Sequence, residues 1–321
     1  MEIGSFIELQ LPDGMEYYKG EKNIARLNNG RAAIWHAFRL TGCDSIWIPR
    51  YQCDTVRDFL KRKGADFKYY NTDKNFNPVD LNPKDNEAVL FVNYYGIMSF
   101  GRMSERAMKY KNAIIDNSQA LFAKPVEMCY NTYSARKFVG VPDGSYVIGE
   151  NAERYTDEYE QGYSSDTAGF LFERIEYGCE GRTYKSRSVN EHRVDTEDIK
   201  LMSPLTRKIL DGTDYEFIIK KRKENFLYAD KLFNAINKIN PLIYYDETCV
   251  PMVYPLVVED DGLLDRLLEN KHFQGHWWSY LLDEVPADSF EYWISRYVIP
   301  ITIDQRYGKE ELDFIRSICN E

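Results

Sequence analysis

The chain has 321 residues, more than one hydrophobic core usually organises, so two packed lobes are expected. With 44% hydrophobic and 29% charged residues it reads as a globular protein without a disorder signature, and a formal charge of -10 with no offsetting basic block excludes general attraction to nucleic acid or anionic membrane. Six cysteines without a CxxC pair exclude a zinc ribbon and a disulfide framework and fit a reducing cytoplasm, and no apolar run reaches the length of a membrane span.

In chain order, helix 31–40 follows the turn signal NNGR, and short apolar runs predict strands at 45–49, 67–70, 88–93, 113–116 and 145–148. Helices at 54–63 and 104–109 complete an alternation that predicts an α/β fold with a mostly parallel sheet. Ligands of such sheets sit beyond the carboxyl ends of the strands, where the polar residues Asn93 and Asp116 fall, so these two and the NNGR segment are expected at one pocket. A helix over 215–239 carries KKRK at its centre, read as a solvated face. Strand 250–258, helix 263–270, strand 297–303 and helix 309–318 then suggest a small C-terminal α/β lobe. The expected division is 1–237 for the large lobe with its linking helix and 238–321 for the small one.

Lys137 lies in YSARKFVGVPDG, between a strand pattern and a turn. It reads either as an ordinary surface lysine or as an amine displayed to a pocket. A lysine that forms a Schiff base must be neutral when it attacks, and burial beside other cations, such as Arg136, moves its pKa that way. Asp116 closes the run AIID; it could accept a hydrogen bond from a protonated pyridine nitrogen or simply cap the next helix. Gln119 is within reach of the same ring. Gly30 opens the first helix, whose unpaired amides and dipole suit a phosphate, although Asn-Gly is foremost a turn signal.

Taken together, NGRAA, IPRYQC, NYYG, IIDNSQA and TYSARK, followed by MSPLT, KKRKENF and PITIDQRYGKEEL, resemble the DegT-type sugar aminotransferases over nearly the whole chain. That family is a branch of the fold-type-I pyridoxal-phosphate enzymes. The resemblance implies that Lys137 holds pyridoxal 5'-phosphate as a Schiff base and moves the substrate proton. It implies further that Asp116 pairs with the pyridinium nitrogen, Gln119 with the phenolic oxygen, Thr132 with the phosphate, and the amides of Gly30 and Arg31 with the same phosphate. Cys53 stands where an aromatic residue commonly stacks on the ring, so Tyr51 is a candidate to cover it instead. Arg31 replaces a small hydroxyl residue, its side chain directed to phosphate or to substrate. Asn93, Tyr95 and Asn190 are candidate substrate contacts. Asn190 and Arg193, read in a loop, either reach a neighbouring subunit's cofactor or stay in solvent. No histidine has metal-ligand spacing, so no metal is expected; His36 reads as structural, and Trp277 and Trp278 as sugar-pocket walls or lobe-interface filling. The implied function is amino transfer, from glutamate, to a keto carbon of a nucleotide-linked sugar for surface-polysaccharide biosynthesis, by a cytoplasmic homodimer. A pyridoxal-phosphate sugar dehydratase and a non-catalytic binding or assembly protein are the alternatives. Lys137 argues against the first, and retention of Lys137, Asp116 and Gln119 against the second.

Overall fold

The computed structural model describes residues 3–319. Ten strands and eleven α-helices occur among them, in the order β1 (Ile24–Leu27), α1 (Gly30–Thr41), β2 (Ser45–Pro49), α2 (Asp54–Arg62), β3 (Asp66–Thr72), β4 (Pro78–Val79), β5 (Glu87–Val92), α3 (Phe100–Ala107), β6 (Ala113–Asn117), β7 (Tyr130–Ser134) and β8 (Ser145–Ile148). There follow α4 (Gly169–Tyr177), α5 (Gly181–Thr196), α6 (Pro204–Asp211), α7 (Tyr215–Phe233), β9 (Val253–Val257), α8 (Leu263–Glu269), α9 (Leu281–Glu284), α10 (Phe290–Tyr297), β10 (Val298–Thr302) and α11 (Lys309–Ile318).

Eight strands form one sheet in the order β1-β8-β7-β6-β5-β2-β3-β4. The five from β7 to β3 run parallel, and β8, β1 and β4 join antiparallel, so the mostly parallel α/β architecture expected from the alternating pattern is the one observed. One face packs on α1 and α2 through Ala33, Ile34, Ala37, Ile48, Leu90 and Ile114. On the other face a core runs without a break from Phe91 and Ile115 to Phe226, Tyr254, Ile299 and Ile315 of the C-terminal elements. No helix among the described residues is long and apolar enough to cross a membrane, and no cluster of side chains there could hold a metal ion.

Local chemistry sets the boundaries. Asn29 accepts the Ala32 amide (2.9 Å) to start α1, and Gly42 ends it with a left-handed φ of 66°. Ser99 caps α3 through the amide of Arg102, so that helix begins four residues before the 104–109 expectation. Helix α7 stops at Phe233 rather than 239, because Asn237 turns its side chain onto the backbone of β9. The C-terminal ribbon pairs β9 with β10 in a register that sets Pro255 directly opposite Pro300. Both prolines lack an N–H, so this must be a non-hydrogen-bonded pair, with each ring nitrogen facing outward from the ribbon.

Candidate functional site

Strand alternation decides which polar residues meet. Asp116 lies beside Thr132 in the β6–β7 register, on the face that also carries Ile114 and packs on α1, whereas Asn117 points to the opposite face. The Asp116 carboxylate is 7% exposed and accepts the Ser118 amide (2.8 Å). No helix follows at this point, so the helix-cap reading gives way to a turn that brings Ser118 back toward α1. A Cβ on Gly30 would lie 3.1 Å from Ser118 Oγ and 3.8 Å from Ser134 Cβ, so the missing side chain lets the amino end of α1 sit directly against these two serines. The first amides of a helix have no intrahelical acceptor, which makes this an anion cradle of backbone N–H groups and two hydroxyls.

Lys137 closes the turn after β7, where the amides of Phe138 and Val139 return to the Ala135 carbonyl (3.0 and 2.9 Å). Its side chain is open to solvent, yet the protein crowds it closely enough that desolvation lowers its pKa. Asp116, and then Cys53, favour the charged amine; Arg136 and Arg31 oppose it. The lysine, the aspartate and the cysteine therefore share one electrostatic neighbourhood beside the amino end of α1.

The two arginines turn toward α5. Arg136 pairs with Glu191, and Arg31 binds Asp195 (2.9 Å), the Val194 carbonyl (2.6 Å) and Thr55 Oγ1 (3.2 Å). Burial lowers the Arg31 pKa, with Asp195 pulling the other way. In both guanidinium groups the Nε–H is buried and finds no acceptor among the described residues.

Several expected site residues lie elsewhere. Thr132 is fully buried and donates to the Ile115 carbonyl (3.3 Å), so it is sealed in the sheet rather than free for phosphate; Ser134, two residues on along the same face, and Ser118 are the hydroxyl residues beside Gly30. Neither serine carried a distinguishing signal in the sequence, although Ser134 was recoverable from the period-two rule once β7 was recognised. Tyr51 is also fully buried, its hydroxyl 2.5 Å from that of Tyr95 and its ring 4.4 Å from Trp278, so it belongs to the core and cannot cover a ligand. Cys53 is the half-buried residue of that segment that faces the lysine, with Sγ 3.0 Å from Thr55 Oγ1. Asn93 donates to Asn117 Oδ1 (3.0 Å) and accepts the Met98 amide (3.2 Å), which puts its side chain on the face away from Asp116 and corrects the single-pocket expectation.

Tyr95 is buried in a left-handed conformation (φ 59°) with its ring stacked on Trp277 at 5.3 Å, and its amide donates to Gln119 Oε1 (2.5 Å). Gln119 thus keeps its Nε2 as the donor to offer a ligand. Trp277 and Trp278 pack on these tyrosines at the junction with the C-terminal elements, where they fill an interface. Asn190 lies within helix α5, not in a loop, and is fully buried. It donates to the Pro142 carbonyl (2.9 Å) and accepts from Thr167 Oγ1 (2.8 Å) and Arg193 (3.1 Å), so it reaches neither solvent nor a neighbouring subunit. Arg193 is likewise spent within the chain, on the Tyr163 carbonyl and Ser164 Oγ. His36 is buried between the Ala152 carbonyl (2.7 Å) and the Tyr159 hydroxyl (2.9 Å), the structural role expected of it.

No protein-family model matches this chain, and no curated protein does. Solved structures do. A DegT DnrJ EryC1 StrS aminotransferase from Brucella abortus superposes with a TM-score of 0.62 at 14% identity, covering 94% of this chain and 86% of that one. A sugar aminotransferase from Micromonospora echinospora gives 0.59 at 14% identity, with 94% and 87% covered. GDP-4-keto-6-deoxy-D-mannose-3-dehydratase from E. coli, solved with bound hydrated PLP, gives 0.61 at 13% identity, with 93% and 88% covered. This chain has their fold.

Proposed function

We propose that this protein is a DegT-type, pyridoxal-phosphate-dependent aminotransferase that moves an amino group from glutamate to a keto carbon of a nucleotide-linked sugar for surface-polysaccharide biosynthesis, working as a cytoplasmic homodimer. The observation that carries the reading is that Lys137 lies in the field of Asp116 near a helix amino end faced by two serines. Fold likeness supports it, since two of the superposing proteins are named as aminotransferases and the third was solved with pyridoxal phosphate. The residues present fit that cofactor. The bare Gly30 brings the amino end of α1 against the hydroxyl of Ser118, so backbone amides and a hydroxyl converge on one spot, and the buried Nε–H groups of Arg31 and Arg136 have no acceptor among the described residues.

When bound, pyridoxal phosphate supplies an electron sink for the carbon that loses its proton. The amides of Gly30 and Arg31, with the hydroxyls of Ser118 and Ser134, would hold its phosphate. The nearly buried Asp116 carboxylate would keep a proton on the pyridine nitrogen. Gln119 Nε2 would donate to the phenolic oxygen, and Cys53 would lie against the ring. The lowered pKa of Lys137 raises the neutral fraction of its amine available first to attack and then to carry the substrate's proton. Phe172, Ile175 and Val189, exposed on α4 and α5, give a second copy an apolar face to cover.

The test is to incubate the purified protein with pyridoxal phosphate, reduce one portion with borohydride to map the labelled peptide, and sediment and assay the unreduced remainder. A label on Lys137 in a particle of two chains is expected, with amino transfer on adding glutamate and a keto sugar. A label elsewhere, or none, would overturn the reading; an active monomer would overturn the dimer alone.

A further inference from the structure

Arg222 is the third residue of KKRK, and it is not part of a solvated face. Its side chain is 2% exposed inside α7, one helical turn before the buried Asn225. A buried guanidinium is expensive unless its donors are satisfied, and here no ion pair joins it to a carboxylate among the described residues. Asp304, whose charge favours it, is itself paired with Arg306 (2.7 Å). Burial pushes the Arg222 pKa down to about 10.

The donors go instead to main-chain and amide oxygens of three separate segments. Nη1 donates to the carbonyl of Met252 (2.9 Å) and more distantly to that of Pro251 (3.4 Å); Nε donates to Gln305 Oε1 (3.1 Å); Nη2 faces the Lys137 carbonyl (3.5 Å). Gln305 relays the contact, since its Nε2 donates to the Phe138 carbonyl (2.9 Å). The guanidinium also lies over the Phe138 ring, 4.5 Å from its centre. Met252 extends the chain of bonds in the other direction: its amide donates to the Tyr95 carbonyl (2.8 Å), and the Tyr95 amide donates to Gln119 Oε1.

We infer that Arg222 is a positioning residue that fixes the lysine-bearing turn and, through Met252 and Tyr95, the side chain of Gln119, so that the two groups hold one relative placement. The inference deepens the proposed function, on which the purpose of that placement rests. Arg222 touches neither the amine nor a reacting atom. It acts through the backbone on both sides of the site.

The test uses Arg222→Met, Arg222→Lys and the milder Gln305→Ala, which removes the relay to Phe138 together with the acceptor of Arg222 Nε but leaves the contacts to Met252 and Lys137. Two readouts need no cofactor: hydrogen exchange of the amides in 135–139, and the pH profile of Lys137 acetylation by acetic anhydride, read by mass spectrometry. In Arg222→Met, exchange in 135–139 should rise about tenfold, the loss of one hydrogen bond's net worth, while β6 and β8 stay protected. The acetylation midpoint should rise toward the ordinary lysine value of about 10.4, as the loosened turn lets the amine move away from the crowding and from Arg136 and Arg31, which lower it. Gln305→Ala should give a smaller change in the same direction, and Arg222→Lys should recover part of the loss. A lower melting temperature with both readouts at wild-type values would make Arg222 merely structural and overturn the inference; if Arg222→Met does not fold, Gln305→Ala decides alone. Because neither readout uses pyridoxal phosphate, a protein that never takes the cofactor would sink the proposed function and leave this inference standing or falling by itself.

Discussion

Asp116 and Asn117 are consecutive residues of one strand, yet they live in different chemistries. Asp116 faces α1, shares the field of Lys137, and accepts the Ser118 amide at the edge of the helix amino end. Asn117 faces the other way, where Asn93 donates to its side-chain Oδ1 and the surrounding residues are core. The same division runs through the neighbouring segments: Ser118 and Ser134 border Gly30 at the amino end of α1 and Cys53 shares the field of Lys137, whereas Tyr51 and Tyr95 satisfy each other beneath the C-terminal elements. Polar groups that close their hydrogen bonds within the protein hold the fold. Those that converge without closing are what a ligand would complete.

Substitutions across that divide should separate the two roles. The largest effect is expected for Asp116→Asn, which should keep the fold but lower the amino-transfer rate by about a hundredfold or more, the scale of a lost proton-holding group. Asn117→Ala should do the reverse, costing about 1–3 kcal/mol of stability in denaturant by stranding Asn93, with the lysine still reactive. Wild-type turnover in Asp116→Asn would reduce Asp116 to the residue that makes the turn to Ser118.

A buried polar group with no partner at all gives an intermediate case. Both ring nitrogens of His272 are buried without an acceptor or donor among the described residues, and burial pushes its pKa down to about 4. The unfolded chain protonates it near pH 6.5, so the folded state loses stability as the pH falls from there toward about 4, and none of this loss is present above pH 7. The cost should be about 1–2 kcal/mol near pH 5, and His272→Gln should flatten the slope of melting temperature against pH in that window. An unchanged slope would mean that another group carries the acid sensitivity.

The smallest effects are expected at the pair that the sequence could not rank. Tyr51→Phe removes the 2.5 Å contact with Tyr95 and should lower stability by about 1 kcal/mol while leaving the spectrum of bound pyridoxal phosphate alone. Cys53→Ala should shift that spectrum and weaken cofactor binding by a few-fold, on the order of one aromatic-scale contact or less, with little change in stability. The opposite pattern would put Tyr51 at the ring and undo the division drawn between them.

What was legible in the sequence follows the same physics. Runs such as SIWIP and AIID announce buried parallel strands, and the polar residue ending AIID marks a position at the carboxyl end of the sheet, whereas Lys137 stands out through the resemblance carried by TYSARK and not through a strand pattern. Other residues were hidden because their surroundings invert the usual pattern. Helix α5, GRTYKSRSVNEHRVDT, has no apolar stripe: it turns Asn190, Arg193, Glu191 and Asp195 toward the body and leaves Tyr184 and Val189 outside, so a rule that puts polar residues in solvent misplaces it. Arg222 was lost for the same reason among its lysine neighbours. Thr132 and Ser134 share one face of β7, and counting back from the lysine does not tell which of their hydroxyls lies at the strand's end beside Gly30.

The paired prolines of β9 and β10 have a consequence for how this protein survives at high concentration. An isolated two-stranded ribbon has two outer edges, and a hydrophobic edge such as VYPLV or VIPIT invites strands from other molecules to add on. Pro255 and Pro300 remove the central donor from both edges at once, because their register points both ring nitrogens outward. Neighbouring residues close the remaining positions, with Asn237 and Lys238 occupying the amide and carbonyl of Val257, and His276 the carbonyl of Val298. The ribbon is thereby a sheet that cannot grow, and replacing either proline with valine should show itself first as precipitation during expression, before any loss of catalysis.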